Sequence, residues 1–438
     1  MTRQPPGPSI RILFIENSVG LSGSTMSLCT LLNYLDPDLV EAHIVLSRPE
    51  QEIYLLEHLR RPGDLAVIAP RRSFKHAPVV RRMLDALDNR RPRLHLLLLR
   101  LVALLDVAVA TLPYVWRLSR YAKGRKIQLI HQNNGFDLGS LILSRILRVP
   151  LIAYQRGDEW NSATVRWGSR GIRHFIANSA ATRANLTVVL GIPSQKVTII
   201  YPPLDLQTLR ADRSSTVTRA TFGLGPSTRC FGILGMLLPW KGHTVFLKAA
   251  ARVFERIPDA RAFVIGAAPA RGEGYERELR ALAQELGIAD RVIFTGFRPD
   301  VPEMLQLMDV VAHASIDPEP FGRVIAEAMA MRRPVVATRA GGPTEIIDDG
   351  RTGFLVPPGD DESLAYRLIT LLENPPLAKR IAEAGYTAVR ERFSAEAHAG
   401  LVQQVYEQAL SPRRARPASA PRRDRLPAPD KLRKEVDR

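Results

Sequence analysis

Two cysteines, Cys29 and Cys230, in 438 residues are too few for a disulfide framework or a cysteine-based zinc site. Both stand in apolar runs and read as buried free thiols of a reducing compartment. A secretory signal is not expected either, because the opening MTRQPPGPS is polar and leads straight into a strand-like run. A small secreted domain is thereby excluded. The dinucleotide pattern Gly-x-Gly-x-x-Gly is missing after the first strand, where Gly20 and Gly23 are three apart. That weighs against a nicotinamide-dependent dehydrogenase.

Acidic residues are the other scarcity. Forty-four Asp and Glu face 61 Lys and Arg, a formal charge of +17. The excess is local. Residues 71–126 hold fourteen Lys/Arg against Asp85, Asp88 and Asp106, and residues 411–438 hold ten against Asp424, Asp430, Glu435 and Asp437. Those segments carry the whole surplus, so the rest of the chain is formally neutral. The tail, rich in Pro and Ala with no apolar period, reads as disordered. Within the first segment, Leu94–Leu118 is long enough for a bilayer span. Arg100 and Asp106 interrupt it, and strands on both sides belong to one sheet, so a transmembrane helix is rejected. Two readings remain. One is an amphipathic helix packed on the core under a solvated basic face. The other is a helix lying in a membrane interface, favoured by flanking clusters that include Arg90, Arg91, Arg93, Arg117, Arg120 and Lys123.

With 45% hydrophobic and 24% charged residues, the chain is a folded one, longer than one core organises. Short apolar runs alternate with helix-length segments. Strands fit 10–16, 42–46, 65–68, 127–131, 150–154, 174–177 and 197–200; Pro202 and Pro203 then break the pattern. It restarts at Arg229–Gly235, with further strands beginning at Ala260, Arg291, Asp309 and Arg333. This rhythm predicts an α/β chain of two Rossmann-like, doubly wound domains facing across a cleft. The expected division is 1–205, carrying the basic apolar insert 71–126, then 206–393, a helix 394–410 packing back toward the N-terminal domain, and the tail 411–438. Ligands of such sheets bind beyond the carboxyl ends of the strands, so the strand-to-helix loops hold the candidates.

In the second half, GMLLPWKGH (Gly235–His243) follows a strand and opens a helix. Its N–H groups and Lys241 form an anion site of a common kind. Further on, DPEPFGRVIAEAMA places Glu319 on a Pro-flanked loop and Phe321 and Gly322 at a helix start, where N–H groups can face a diphosphate. Glu327 lies inside that helix, where it can accept bonds from a diol. The turn GGPTE adds Glu345.

Taken together, GMLLPWKGH, EPFGRVIAEAMA and GGPTEIIDDGRTGFLVPPGD resemble the retaining nucleotide-sugar glycosyltransferases of the GT-B fold called family 4 or group 1. The resemblance is strong from Phe231 to Phe393, weaker before and absent from the tail. It implies a nucleoside diphosphate sugar in the cleft, with Lys241 on the diphosphate, Glu327 on the ribose and Glu319 near the reacting carbon. Backbone at Phe321 and Gly322 would face donor phosphate or sugar. Met236 stands where the family commonly has Arg, and Arg323 is the candidate replacement. In ENSVGLSGSTMS, Gly23 matches the second glycine of a family loop against the donor, while Ser22 replaces the first. His131, at a strand end in IQLIHQNNG, matches a family histidine on the sugar or acceptor side; Asn133 and Asn134 are hydroxyl partners. The acid pair Asp158–Glu159 reads as an ordinary loop.

The resemblance implies transfer of a sugar to a glycan or lipid-linked acceptor hydroxyl in surface polysaccharide or glycolipid assembly. The enzyme is expected at the cytoplasmic face of the plasma membrane, against anionic lipid. Asp36-Pro-Asp38 falls at a helix-to-strand turn rather than in a donor loop, so neither an essential metal nor another cofactor is expected. A GT-B epimerase or a non-catalytic relative competes with this reading. A nucleic-acid-binding protein is disfavoured, since the positive excess lies outside the motif-bearing half and no recognition module is visible.

Overall fold

The computed structural model describes residues 9–18, 22–61, 63–69, 98, 101–102, 104–157, 163–209, 217, 219–269 and 273–411. Most of the basic insert before residue 104, the tail from 412, and Asp158–Glu159 lie outside the described residues.

Two parallel sheets organise the chain. The first has the order β3-β2-β1-β4-β5-β6-β7, from β1 (Ile10–Glu16), β2 (Val40–Leu46), β3 (Asp64–Val67), β4 (Leu129–Gln132), β5 (Leu151–Gln155), β6 (His174–Ala177) and β7 (Val197–Ile199). The second runs β10-β9-β8-β11-β12-β13, from β8 (Cys230–Leu234), β9 (Arg261–Ile265), β10 (Val292–Gly296), β11 (Val310–His313), β12 (Val335–Thr338) and β13 (Phe354–Val356). Helices cover both faces, so the central strands read as continuous apolar runs: β5 (LIAYQ) and β8 (CFGIL) are buried throughout. Both sheets reverse their winding between the first strand and the fourth, at β1/β4 and β8/β11. At that point the loops splay apart and leave a crevice.

The principal helices of the first half are α1 (Gly23–Tyr34), α2 (Pro49–His58), α3 (Leu112–Gly124), α4 (Leu138–Leu147), α5 (Ala163–Ser169) and α6 (Ala180–Ala184). Those of the second are α7 (His243–Arg256), α8 (Glu273–Glu285), α9 (Val301–Leu307), α10 (Arg323–Ala330), α11 (Pro343–Ile346), α12 (Asp361–Glu373), α13 (Pro375–Arg392) and α14 (Ala395–Leu410). The chain crosses between halves twice, side by side. Leu204 N–H donates to Phe393 O at 2.8 Å, and Leu204 bridges Ser394.

The second crossing returns α14 to the first sheet. Its buried positions, Ala395, His398, Ala399, Val402, Val405, Tyr406 and Ala409, recur every three or four residues, as an apolar helical stripe must. Ala399, Val402, Val405, Tyr406 and Ala409 share a core with Ile12, Phe14, Leu28 and Tyr154.

Of the Leu94–Leu118 run, the described part ends in the first half of α3, and α3 has two apolar faces. Tyr114, Val115, Leu118 and Ala122 enter the core of the first domain. Leu112 (48% exposed) and Trp116 (58%) face outward, with the Arg120 guanidinium 5.0 Å from the Trp116 ring centre. Among the described residues, no helix is long and apolar enough to cross a membrane.

Candidate functional site

The C-terminal wall of the cleft is built by three loops, after β8, β11 and β12. The first carries Lys241 in a single 3-10 turn, Pro239–Lys241, which precedes α7. Its Nζ lies 4.1 Å from the Trp240 ring centre and 2.5 Å from Glu319 Oε2. The second loop presents Glu319, almost wholly buried. Ser315 Oγ donates to the same oxygen at 3.1 Å, and His313 Nε2 stands 3.3 Å away. Thr338 Oγ1 lies 3.2 Å from His313 Nδ1. Assigned on this network, the ring carries its proton on Nε2, donates to the carboxylate and accepts from the threonine. Burial alone would raise the Glu319 pKa; the His313 hydrogen bond and the Lys241 charge outweigh it and hold the acid at about 2. The side chain is therefore a fixed anion at neutral pH, paired with a fixed cation.

Glycine decides the path of the second loop. Gly322, the N-cap of α10, has φ +96°, and an added Cβ would lie 2.9 Å from Ile325 Cδ1. A side-chain-bearing residue there meets both a left-handed backbone and a clash. The third loop locks the second from behind, since Gly342 N–H donates to Glu319 O at 2.7 Å. Phe321 is buried against Tyr201 and Phe393, beside the two chain crossings, so its contribution to the cleft is backbone.

Arg323, on the first turn of α10, reaches the opposite wall. Its Nη1 donates to Ser27 Oγ of α1 at 2.7 Å, and its Nη2 to Glu327 Oε1 at 2.8 Å. Gly23 opens α1 directly beneath it: an added Cβ would come 3.0 Å from Arg323 Cδ. Gly23, Arg323 and Glu327 are thus brought together, as are Lys241 and Glu319. Met236 is 45% exposed and makes none of these contacts. A second link between the walls uses Glu345, whose carboxylate accepts from the N–H groups of Ala180 (2.8 Å) and Ala181 (3.2 Å) at the start of α6, and from Tyr201 Oη (3.1 Å). Beside it, a cavity of about 380 Å³ lies between Ala181, Ala184, Asn185 and Val188 on one side and Pro318, Glu319 and Pro320 on the other.

His131 is not part of these clusters. It lies one residue inside β4 rather than at the strand's end, and it is fully buried. Tyr406 Oη lies at hydrogen-bond distance, 2.8 Å, from its Nδ1, and Phe14, Tyr154 and Tyr406 surround the ring. Burial, then the Arg156 charge, pushes its pKa down to about 3. In this arrangement it offers no surface to a sugar, because α14, 275 positions along the chain, covers it. Asn133 does face polar groups, donating to Glu16 and to Ser24 O and accepting from Arg156. Asp36 and Asp38 sit in the exposed turn before β2. Among the described residues, no group of three or more His, Cys, Asp or Glu is placed to hold a metal ion.

Sequence reasoning missed His313, Ser315, Ser27 and Arg156. His313 ends a central strand whose sequence, DVVAHAS, reads as plain apolar β structure. Its position at a carboxyl end, two residues before a serine, was the available signal.

The family described as "Glycosyl transferases group 1" matches residues 217–388, and "Glycosyltransferase Family 4" matches residues 21–208. A D-inositol 3-phosphate glycosyltransferase of Corynebacterium urealyticum is 35% identical over 48% of this chain and 51% of its own length. The lipopolysaccharide core biosynthesis mannosyltransferase LpcC of Rhizobium leguminosarum is 27% identical over 66% of this chain and 80% of its own. The structure of Anabaena HepE in complex with UDP and glucose matches with a TM-score of 0.74 at 25% identity, covering 91% of this chain and all of that one. The chain spans about half the length of the curated relatives it matches first. Two Rossmann-like domains with parallel sheets facing a cleft define the GT-B class of fold. Within that class, the chain belongs to the family 4, group 1 glycosyltransferases.

Proposed function

We propose that this protein transfers a sugar, with retention of anomeric configuration, from a nucleoside diphosphate sugar to a hydroxyl of a glycan or lipid-linked acceptor. The observation that carries the reading is the Lys241–Glu319 pair set beside the N-terminus of α10. In the reaction the bond from C1 of the sugar to the diphosphate breaks, and the acceptor oxygen bonds C1. The hydroxyl proton leaves with the nucleoside diphosphate. The demand is to stabilise negative charge on the departing diphosphate and positive charge near C1. Lys241 and the N–H groups at the start of α10 meet the first, and the permanently ionised Glu319 meets the second. On the same reading Glu327 binds the ribose. On this reading residues 206–393 hold the nucleotide and residues 1–205 the acceptor.

The name of one relative, assigned to lipopolysaccharide core synthesis, supports a surface glycan or glycolipid product, and a similar structure solved with UDP and glucose supports a nucleotide-sugar donor. We place the enzyme at the cytoplasmic face of the plasma membrane. Outward Leu112 and Trp116 on α3, with Arg117, Arg120 and Lys123 exposed around them, suit the interface of an anionic bilayer.

Incubation with a panel of UDP-, GDP- and ADP-sugars should release nucleoside diphosphate from at least one; release from none overturns the transfer reading. For the membrane, Trp116→Ser with Arg120→Ser should reduce co-sedimentation with phosphatidylglycerol vesicles. Unchanged sedimentation contradicts the interfacial role of α3.

A further inference from the structure

Beyond the donor residues, the N-terminal wall holds a cation that the reading so far leaves without a task. Arg156 follows β5 directly, at the carboxyl edge of the first sheet and beside its winding reversal. Its side chain lies over the Tyr154 ring, 3.9 Å from the centre. Nε donates to Asn133 O at 2.8 Å and Nη2 to Asn133 Oδ1 at 2.9 Å. Asn178 Nδ2 in turn holds the Arg156 carbonyl at 3.1 Å. The ends of three strands, β4, β5 and β6, therefore meet at one arginine, the first holding its guanidinium and the last its backbone.

What fixes it is neutral. Both of those acceptors belong to an asparagine, and among the described residues no carboxylate lies within ion-pair distance of Arg156. The Glu16 carboxylate meets the other end of the Asn133 amide. Arg323, by contrast, has Glu327 at 2.8 Å. The two guanidiniums converge on one turn of α1: Asn133, which holds Arg156, donates to Ser24 O at 3.0 Å, and Arg323 donates to Ser27 Oγ. Desolvation, the largest cause, depresses Arg156 below its ordinary value; the Tyr154 and Glu16 charges oppose that, and the Arg323 charge adds to it. A desolvated cation held by neutral groups, with no carboxylate at ion-pair distance among the described residues, is costly unless a negatively charged ligand completes it.

We propose that Arg156 is an oxyanion-binding residue, taking a phosphate-type group of a substrate from the N-terminal wall, opposite Arg323. This rests on the reading of the cleft as a sugar-transfer site. The oxyanion has two sources there, the donor's diphosphate or an acidic group on the acceptor. The first would supply a cation that Met236 does not; the second would select charged acceptors.

Calorimetric titration of the full chain separates the sources. One arm titrates UDP, GDP and inorganic diphosphate into the free protein. The other titrates inorganic phosphate into protein saturated with nucleoside diphosphate. Arg156→Gln should weaken binding about tenfold to a hundredfold in one arm, at an unchanged unfolding temperature, as loss of a charge-assisted hydrogen bond requires. Weakening in the first arm assigns the donor, and in the second the acceptor. Wild-type binding of no probe, or Arg156→Gln affinities equal to wild type in both arms, overturns the proposal. Should Arg156→Gln fail to fold, Arg156→Lys keeps the charge and loses the fork. Its affinity should drop at least about threefold in one arm, and unchanged affinity in both overturns the proposal. A wild type that binds diphosphate through Arg156 yet turns over no donor overturns the transfer reading alone. Normal turnover with binding indifferent to Arg156 overturns this proposal alone.

Discussion

The two halves of the molecule repeat one topology and treat charge in opposite ways. At the carboxyl edge of the second sheet, the cations have carboxylate partners: Lys241 has Glu319, and Arg323 has Glu327. At the same edge of the first sheet, the partner of the Arg156 guanidinium among the described residues is the neutral Asn133, and His131 is sealed in an aromatic core. The fold thus fixes where a ligand can sit, at a strand-order reversal, and the loops decide what it meets. The second wall is a finished electrostatic device before any ligand arrives. The first wall is incomplete without one.

The strongest way to break this contrast is at Glu319. Glu319→Gln keeps the shape and removes the charge, leaving Lys241 without its partner. Donor turnover should fall about a hundredfold, on the scale of losing one pre-aimed electrostatic group, and a steady-state rate within a few-fold of wild type would show that the pairing is structural only. The junction of the walls is the next place to press. Gly23→Val drives a branched side chain toward Arg323 Cδ, which stands 3.0 Å from the position of a Cβ. Nucleoside diphosphate affinity should drop about tenfold, the usual consequence of one misplaced binding group. Calorimetry on a variant with unaltered circular dichroism reads this directly.

A smaller effect sharpens the account of the first wall. His131 and His398 are both held near pKa 3, chiefly by burial, against an ordinary 6.5. Between those values the unfolded chain binds protons that the folded chain refuses. Stability should therefore fall as the pH drops from 6.5 toward 3, by up to about 1.4 kcal/mol per pH unit for each histidine. His131→Phe should reduce the slope seen in thermal unfolding by up to about 1.4 kcal/mol per pH unit, the share of one histidine. An unchanged slope would mean that His131 is not held neutral.

Much of this was legible in the sequence. The strands are apolar runs because parallel sheets are covered on both faces, and the described elements follow the expected rhythm closely. Edge strand β13 is an exception: its three residues, Phe354–Val356, lie in a glycine- and proline-rich stretch that hides them. The second wall was legible because Lys241, Glu319, Phe321, Gly322, Arg323 and Glu327 sit in short continuous motifs. Contacts across hundreds of positions were not. Nothing local announces that Tyr406 caps His131, that Ser27 receives Arg323, or that Glu345 caps α6. Arg156 was passed over for the neighbouring acids because its meaning lies in Asn133 and Arg323, which no spacing places beside it.

The central claim is that a fixed cation on the second wall stabilises a departing diphosphate. It is tested most directly by the rate of nucleoside diphosphate release from the preferred donor by Lys241→Ala, compared with wild type at saturating donor. The account predicts a fall of about a hundredfold or more with the fold intact. A folded Lys241→Ala protein that releases nucleoside diphosphate at the wild-type rate would contradict it.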